Sequence, residues 1–281
     1  MKTNFNAFWF LTGLLLAVMA NSRAALGGED WKTIEDISFI ANSDKTVQQY
    51  VLMLPGIFDA AKPHDVLIAL HGHGSDRWQF AKADRDECKA ARLFAKKKEM
   101  IYVCPDYRAK TSWMGPKAES DMVQIIRDLG KNHKVGRIFL TGGSMGGTSA
   151  LTFAAIHPDL IAGVAAMNPT CNHLEYDQFQ DAIADSFGGP KHIIPGEYKL
   201  RSAEYWPEKF IMPVGVSTGG KDTLVPPQST LRLARVLQSL KRDVLVIHRE
   251  NGGHETNLAD ATAILDFVMD KAKPFRDPGK K

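Results

Sequence analysis

The chain has 281 residues, 44% of them hydrophobic and 24% charged, enough apolar material for a core, which excludes a disordered or collagen-like polymer. Its 35 Lys+Arg against 32 Asp+Glu leave a formal net charge of +3 without a basic block, so no electrostatic case exists for a nucleic-acid partner.

The amino terminus has its own logic. Lys2 precedes an apolar stretch from Phe8 to Ala20, followed by Ser22-Arg23-Ala24 with small residues three and one before a cut. That layout predicts a secretory signal peptide over 1–24 and a mature chain starting near Ala25, because the apolar stretch is too short to span a bilayer. No Cys stands at the cleavage region to carry a lipid anchor. The expectation is a secreted or periplasmic protein, off the membrane once cleaved, with 25–281 forming one domain, since no linker or repeat divides it. Oligomeric state leaves no trace in the sequence. Three thiols, Cys88, Cys104 and Cys171, cannot all pair within one chain and match no zinc spacing. A Cys88–Cys104 bridge and buried free thiols are both open readings.

In chain order, Ile34 to Ile40 and Val47 to Leu54 flank the turn-rich Asn42-Ser43-Asp44-Lys45 and predict an opening antiparallel hairpin. Apolar runs and helical patterns then alternate, the signature of a parallel sheet with crossover helices. Asp65 to His71 reads as a strand, Cys88 to Glu99 as a helix, and Met100 to Cys104 as a strand stopped by Pro105. Glu119 to Leu129 sets Met122, Ile125, Ile126 and Leu129 on one helical face, with Gly130 placed to end it. Arg137 to Thr141 is a strand running into Gly142-Gly143-Ser144-Met145-Gly146-Gly147, and Thr148 to His157 is the helix that follows. Further strands are predicted at Ile161 to Met167, Ile211 to Val216 and Val244 to His248. A helix beginning near Pro227 carries Leu233, Val236, Leu237 and Leu240 on one face, and Leu258 to Met269 is the last helix. Residues 168–209 break the alternation and read as an insertion over the carboxyl edge of the sheet, where such folds bind ligands.

Gly142-Gly143-Ser144-Met145-Gly146 fits the G-x-S-x-G elbow, in which a tight strand-to-helix turn raises a serine hydroxyl above the sheet. The helix amino terminus beneath it favours negative charge developing there. A serine hydroxyl is a weak nucleophile at neutral pH, so it needs a base, and the base needs a group that fixes its tautomer. The chain order Ser, acid, His expected for this elbow selects Asp222, in Gly219-Gly220-Lys221-Asp222, and His254, in Asn251-Gly252-Gly253-His254. Both follow predicted strands on the edge that carries Ser144. Among the nine histidines, His157 ends the elbow helix and suits its dipole, while His64, His133, His173, His192 and His248 read as surface or packing residues. Asp243 and Glu250 compete less well with Asp222 on position. His71-Gly72-His73-Gly74 follows a strand where the second oxyanion donor belongs, so His73 N–H and Met145 N–H are the predicted pair. Using His71 and His73 as metal ligands lacks a third ligand, so no metal and no cofactor is expected. His71, Trp113 and Met114 are the candidate lining of the substrate pocket, with packing the alternative for Trp113 and Met114.

These residues resemble the α/β-hydrolase superfamily, in particular its prolyl-oligopeptidase-like branch and its secreted feruloyl- or polyester-esterase branch, over roughly residues 47–270. Gly142 to Gly147 resembles the peptidase-type elbow, and Gly219 to Ser229 that family's acid loop and following helix; Pro55 with Leu67 to Gly72 is more similar to the secreted esterases. The resemblance implies an α/β-hydrolase fold with Ser144 as nucleophile, Asp222 as acid and His254 as base. Prolyl-oligopeptidase-type peptidases usually carry an amino-terminal propeller for which this sequence has no room, which turns the expectation towards small-molecule or polymer-linked esters. A serine peptidase, and a non-catalytic binding protein on the same fold, are the alternatives.

Overall fold

A computed structural model describes residues 31–275, so the expected signal segment and cleavage site lie outside the described residues. Eight strands form one sheet in the order β1-β2-β4-β3-β5-β6-β7-β8: β1 Trp31–Ile40, β2 Val47–Pro55, β3 His64–Leu70, β4 Ile101–Pro105, β5 Val135–Gly143, β6 Gly163–Met167, β7 Val214–Gly219 and β8 Val244–Arg249. The hairpin β1/β2 and the β2/β4 pair are antiparallel, and every other neighbouring pair is parallel. After β3 the chain steps outward to β4 and then returns to lay β5 on the other side of β3. That reversal opens a crevice at the carboxyl ends of β3 and β5, the place where open α/β sheets bind ligands.

Period-two alternation sorts the strands' side chains into two cores. Val66, Ile68 and Leu70 of β3 join one apolar cluster, while Leu67 and Ala69 join the other. The second cluster is covered by α1 Trp78–Lys82, α2 Asp86–Lys97 and α8 Leu258–Lys271; the first by α3 Pro116–Asn132, α4 Met145–Ile156 and α7 Gln228–Ser239. Strands β4, β6 and β7 are buried along their whole length, which is why they read as continuous apolar runs. Between β6 and β7, residues 168–209 contain no strand but two short helices, α5 Gln180–Phe187 and α6 Pro195–Leu200, and two 3-10 turns. Among the described residues no helix is long and apolar enough to cross a membrane.

Three expectations need correction, and the open reading of the cysteines is decided. Helix α3 runs through Gly130 to Asn132: Gly130 is exposed, and one glycine costs only about 1 kcal/mol in a helix, too little to stop it. Strand β7 starts at Val214 rather than Ile211, because Pro213 has no N–H for the ladder and Ile211 is exposed. In α7, Val236 and Leu240 face solvent. The buried face is turned towards Ser229, Thr230, Leu233, Ala234 and Leu237, because Ser229 Oγ accepts from Cys171 N–H (3.0 Å) and Thr230 Oγ1–H donates to Pro169 O (2.6 Å). The three cysteines are free and buried, so the bridge between Cys88 and Cys104 is not formed; burial pushes the Cys88 thiol up to about 12.

The 168–209 segment is tied to the rest of the fold by Arg201, only 3% exposed. Its guanidinium pairs with Glu119 of α3 (2.9 Å) and Glu197 (2.6 Å) and donates to Met114 O (2.6 Å). Removing the buried guanidinium leaves Met114 O without its donor and takes the cation from Glu119 and Glu197, which are only 22% and 24% exposed. Arg201→Met is expected to lower unfolding free energy by about 3 kcal/mol, read from the midpoint of urea unfolding. A midpoint equal to the parent's would show that these carboxylates rehydrate freely.

Candidate active site

Strand β5 ends at Gly143, and Ser144 takes the turn with φ 57° and ψ −123° before α4 begins. A non-glycine residue held there is strained, and the surroundings hold it. Ser144 N–H donates to Met167 O (2.8 Å) and Thr148 N–H to Ser144 O (2.9 Å). The elbow is this tight because α4 passes against β3: a Cβ on Gly146 would stand 2.0 Å from Leu70 O, inside any contact distance.

Two other strand ends deliver the partners. The loops after β7 and β8 lie backbone to backbone, with Gly220 N–H donating to Arg249 O and Lys221 N–H to Gly252 O, both at 2.8 Å. A Cβ on Gly219 would fall 2.1 Å from Gly253 O, so glycine is what lets them close. Asp222, 5% exposed, accepts at Oδ1 from Leu224 N–H (3.0 Å) and Val225 N–H (2.8 Å). Its Oδ2 lies 2.6 Å from His254 Nδ1, and His254 Nε2 lies 2.8 Å from Ser144 Oγ. Because a carboxylate only accepts, Nδ1 carries the ring proton, and Nε2 is left to accept from the serine hydroxyl.

The loop after β3 is fixed on both sides of His73. Gly72 N–H donates to Gln79 Oε1 (2.7 Å) and Gly74 N–H to Lys110 O (2.8 Å). Among the described residues no hydrogen bond engages the N–H of His73 or of Met145, which begins α4. Trp113 Nε1–H donates to His73 Nδ1 (3.2 Å), and the His73 ring lies 4.2 Å from that of Phe179; burial lowers the His73 imidazole pKa. A cavity of about 210 Å³ opens over Ser144 and His254. Phe80, Met167, Phe179 and Leu224 form its apolar walls, and Gln79, Glu87, Asn168 and Thr256 line it among polar side chains; Arg85 Nε lies 2.7 Å from Glu87 Oε1.

The expected pocket lining is corrected. His71, Trp113 and Met114 are at most 1% exposed, and none lines the cavity. His71 has its ring nitrogens against Gly72 O (2.8 Å) and Asp106 O (3.0 Å), and Trp113 and Met114 sit in the core, where Trp113 supports His73 from beneath. His157 meets Glu119 Oε1 (2.9 Å), a link from α4 to α3 rather than a dipole contact alone. Among the described residues no group of three or more His, Cys, Asp or Glu is placed to hold a metal. Sequence reasoning missed Asn168, Gln79, Glu87, Phe179 and Thr256. Asn168 carried a signal, its place directly after a strand; Gln79 and Glu87 carried none, because only the return of α1 and α2 over the sheet edge brings them in.

The model of the prolyl oligopeptidase family matches residues 94–273, which include Ser144, Asp222 and His254. No curated protein sequence matches the chain. Among solved structures, a Bacteroides ovatus protein described as a dipeptidyl aminopeptidase IV is 18% identical with TM-score 0.68, over 85% of this chain and 35% of its own length. The chain thus spans about a third of that protein. The Staphylococcus aureus fluorophosphonate-binding serine hydrolase F is 17% identical with TM-score 0.64, over 86% and 98%. An S-formylglutathione hydrolase from Agrobacterium tumefaciens is 14% identical with TM-score 0.65, over 86% and 96%. Together with the sheet order, these likenesses make the architecture an α/β-hydrolase fold.

Proposed function

Because this chain belongs to the prolyl oligopeptidase family, and so is a serine hydrolase, we propose that it cleaves carboxylic esters through an acyl-enzyme formed on Ser144. The observation that carries this reading is the unbroken relay from Ser144 Oγ to His254 Nε2 (2.8 Å) and from His254 Nδ1 to Asp222 Oδ2 (2.6 Å), beneath an open cavity. His254 takes the hydroxyl proton as Oγ bonds to the acyl carbon, and Asp222 steadies the resulting imidazolium. The carbonyl oxygen becomes an oxyanion held by the free N–H groups of His73 and Met145. The tetrahedral centre collapses, the alkoxide leaves with the proton from His254, and an ester of Ser144 remains. Water, deprotonated by His254, then attacks that ester; the acid departs and Ser144 recovers its proton.

Ester rather than amide cleavage is favoured by the likeness to a hydrolase named for a thioester, S-formylglutathione, which this chain matches over 96% of that protein's length. The amino-terminal pattern of residues 1–24 supports export, so the substrate is met outside the cytoplasm. The family match supports a second reading, a serine peptidase. The deciding measurement compares kcat/KM for a p-nitrophenyl ester and an aminoacyl anilide, alongside labelling by a fluorophosphonate. Esterase activity predicts labelling at Ser144 and at least about a hundredfold preference for the ester beyond its intrinsic lability, a difference of roughly 2.7 kcal/mol. A preference for the anilide would transfer the reading to the peptidase.

A further inference from the structure

We infer that Asn168 is a specificity-determining residue that accepts a hydrogen bond from the substrate, so that the preferred esters carry a hydroxyl or amino donor near the scissile bond. This rests on the ester-hydrolase reading above and narrows its substrate class. Asn168 directly follows β6, and its neighbour Met167 accepts from Ser144 N–H, which sets Asn168 beside the nucleophile on the cavity wall. Its φ is 45°, in the left-handed region that asparagine tolerates better than most residues. The amide is anchored at one end only: Nδ2–H donates to Thr256 Oγ1 (3.2 Å), which is itself 2.8 Å from Ser217 Oγ.

The other end is idle. Asn168 is 5% exposed and its Oδ1 has no hydrogen-bond partner. A buried acceptor left unmatched costs free energy, so such groups in native proteins usually have a use. Here the residue belongs to the active-site wall, and its Oδ1 is shut off from solvent, so a donor on the bound substrate satisfies it once the amide, held by Thr256 at its other end, turns towards the cavity. The cavity's other polar groups, Gln79, Glu87 and Glu255 among them, suit a polar substituent better than an alkyl chain. An ester without the donor leaves the acceptor unmatched in the closed complex, which is how a site discriminates against the deoxy analogue.

Three matched pairs test this: p-nitrophenyl 3-hydroxybutyrate against butyrate, the p-nitrophenyl ester of alanine against that of isobutyrate, and 2-hydroxyethyl butyrate against propyl butyrate. They place a hydroxyl or an amine in the acyl half, or a hydroxyl in the alcohol half. In at least one pair, kcat/KM is expected to favour the donor-bearing ester about tenfold. Asn168→Gly, which suits the positive φ, should bring that ratio within twofold, and Asn168→Asp, which keeps an acceptor, should preserve it. A merely structural asparagine would lower both members of a pair by one factor and leave the ratio alone. That result, ratios within twofold in all three wild-type pairs, or loss of the preference in Asn168→Asp, overturns the inference. Fluorophosphonate labelling of the wild-type protein reports on Ser144 separately, so failure of the underlying reading is distinguishable.

Discussion

Ser144→Ala is expected to lower kcat for a p-nitrophenyl ester by about 10⁶-fold while leaving the protein folded. The variant loses the one oxygen that bonds to the acyl carbon, so the covalent route disappears. Binding and the N–H groups of His73 and Met145 remain, and such donors sustain a residual acceleration of roughly 10³ over water. Stability should hardly change, because the substitution gives up only the 2.8 Å bond to His254, and alanine at φ 57° is strained much as serine is. Burst kinetics and intact-protein mass spectrometry on the parent, set against a thermal melt of the variant, check the two halves of the expectation. Turnover within tenfold of the parent would remove Ser144 from the mechanism.

His254→Ala should be comparably severe, again about 10⁶-fold in kcat, because the serine then has no acceptor for its proton. Residues that act as one unit do not add, so Ser144→Ala with His254→Ala should be no slower than either alone. Fluorophosphonate labelling of His254→Ala should slow with hydrolysis, since both need the activated oxygen. A double variant slower by the product of the single effects would show two independent contributions and contradict the relay. So would a His254→Ala variant labelled at the parent rate.

The elbow and its two partners were legible because each is a local pattern. Gly142 to Gly147 encodes a turn, and Asp222 and His254 each follow a glycine-bearing loop after an apolar run. Once those runs are parallel strands of one sheet, their loops must share an edge. The place of the His73 loop after β3 was legible in the same way. The pocket was not. Trp113 and Met114 stand in a loop, where sequence alone allows either a lining or a core role, and their complete burial was decided by the residues packed around them. The face of α7 was misread because hydrophobicity picks out Val236 and Leu240, whereas Ser229 and Thr230 are drawn inward by hydrogen bonds to main-chain atoms of residues 169 and 171.

The sequence by itself determined the alternation of strands and helices, the strand-turn-helix around Ser144, and the order in which Ser144, Asp222 and His254 occur, since periodicity and turn chemistry are properties of neighbouring residues. Only the tertiary structure decided that β5 lies beside β3 with β4 outside, that α1 and α2 bring Gln79 and Glu87 to the cavity, and that the amide of Asn168 is buried with one end unmatched. Those facts depend on contacts between residues far apart in the chain, and such contacts are chosen by the packing of whole faces against one another.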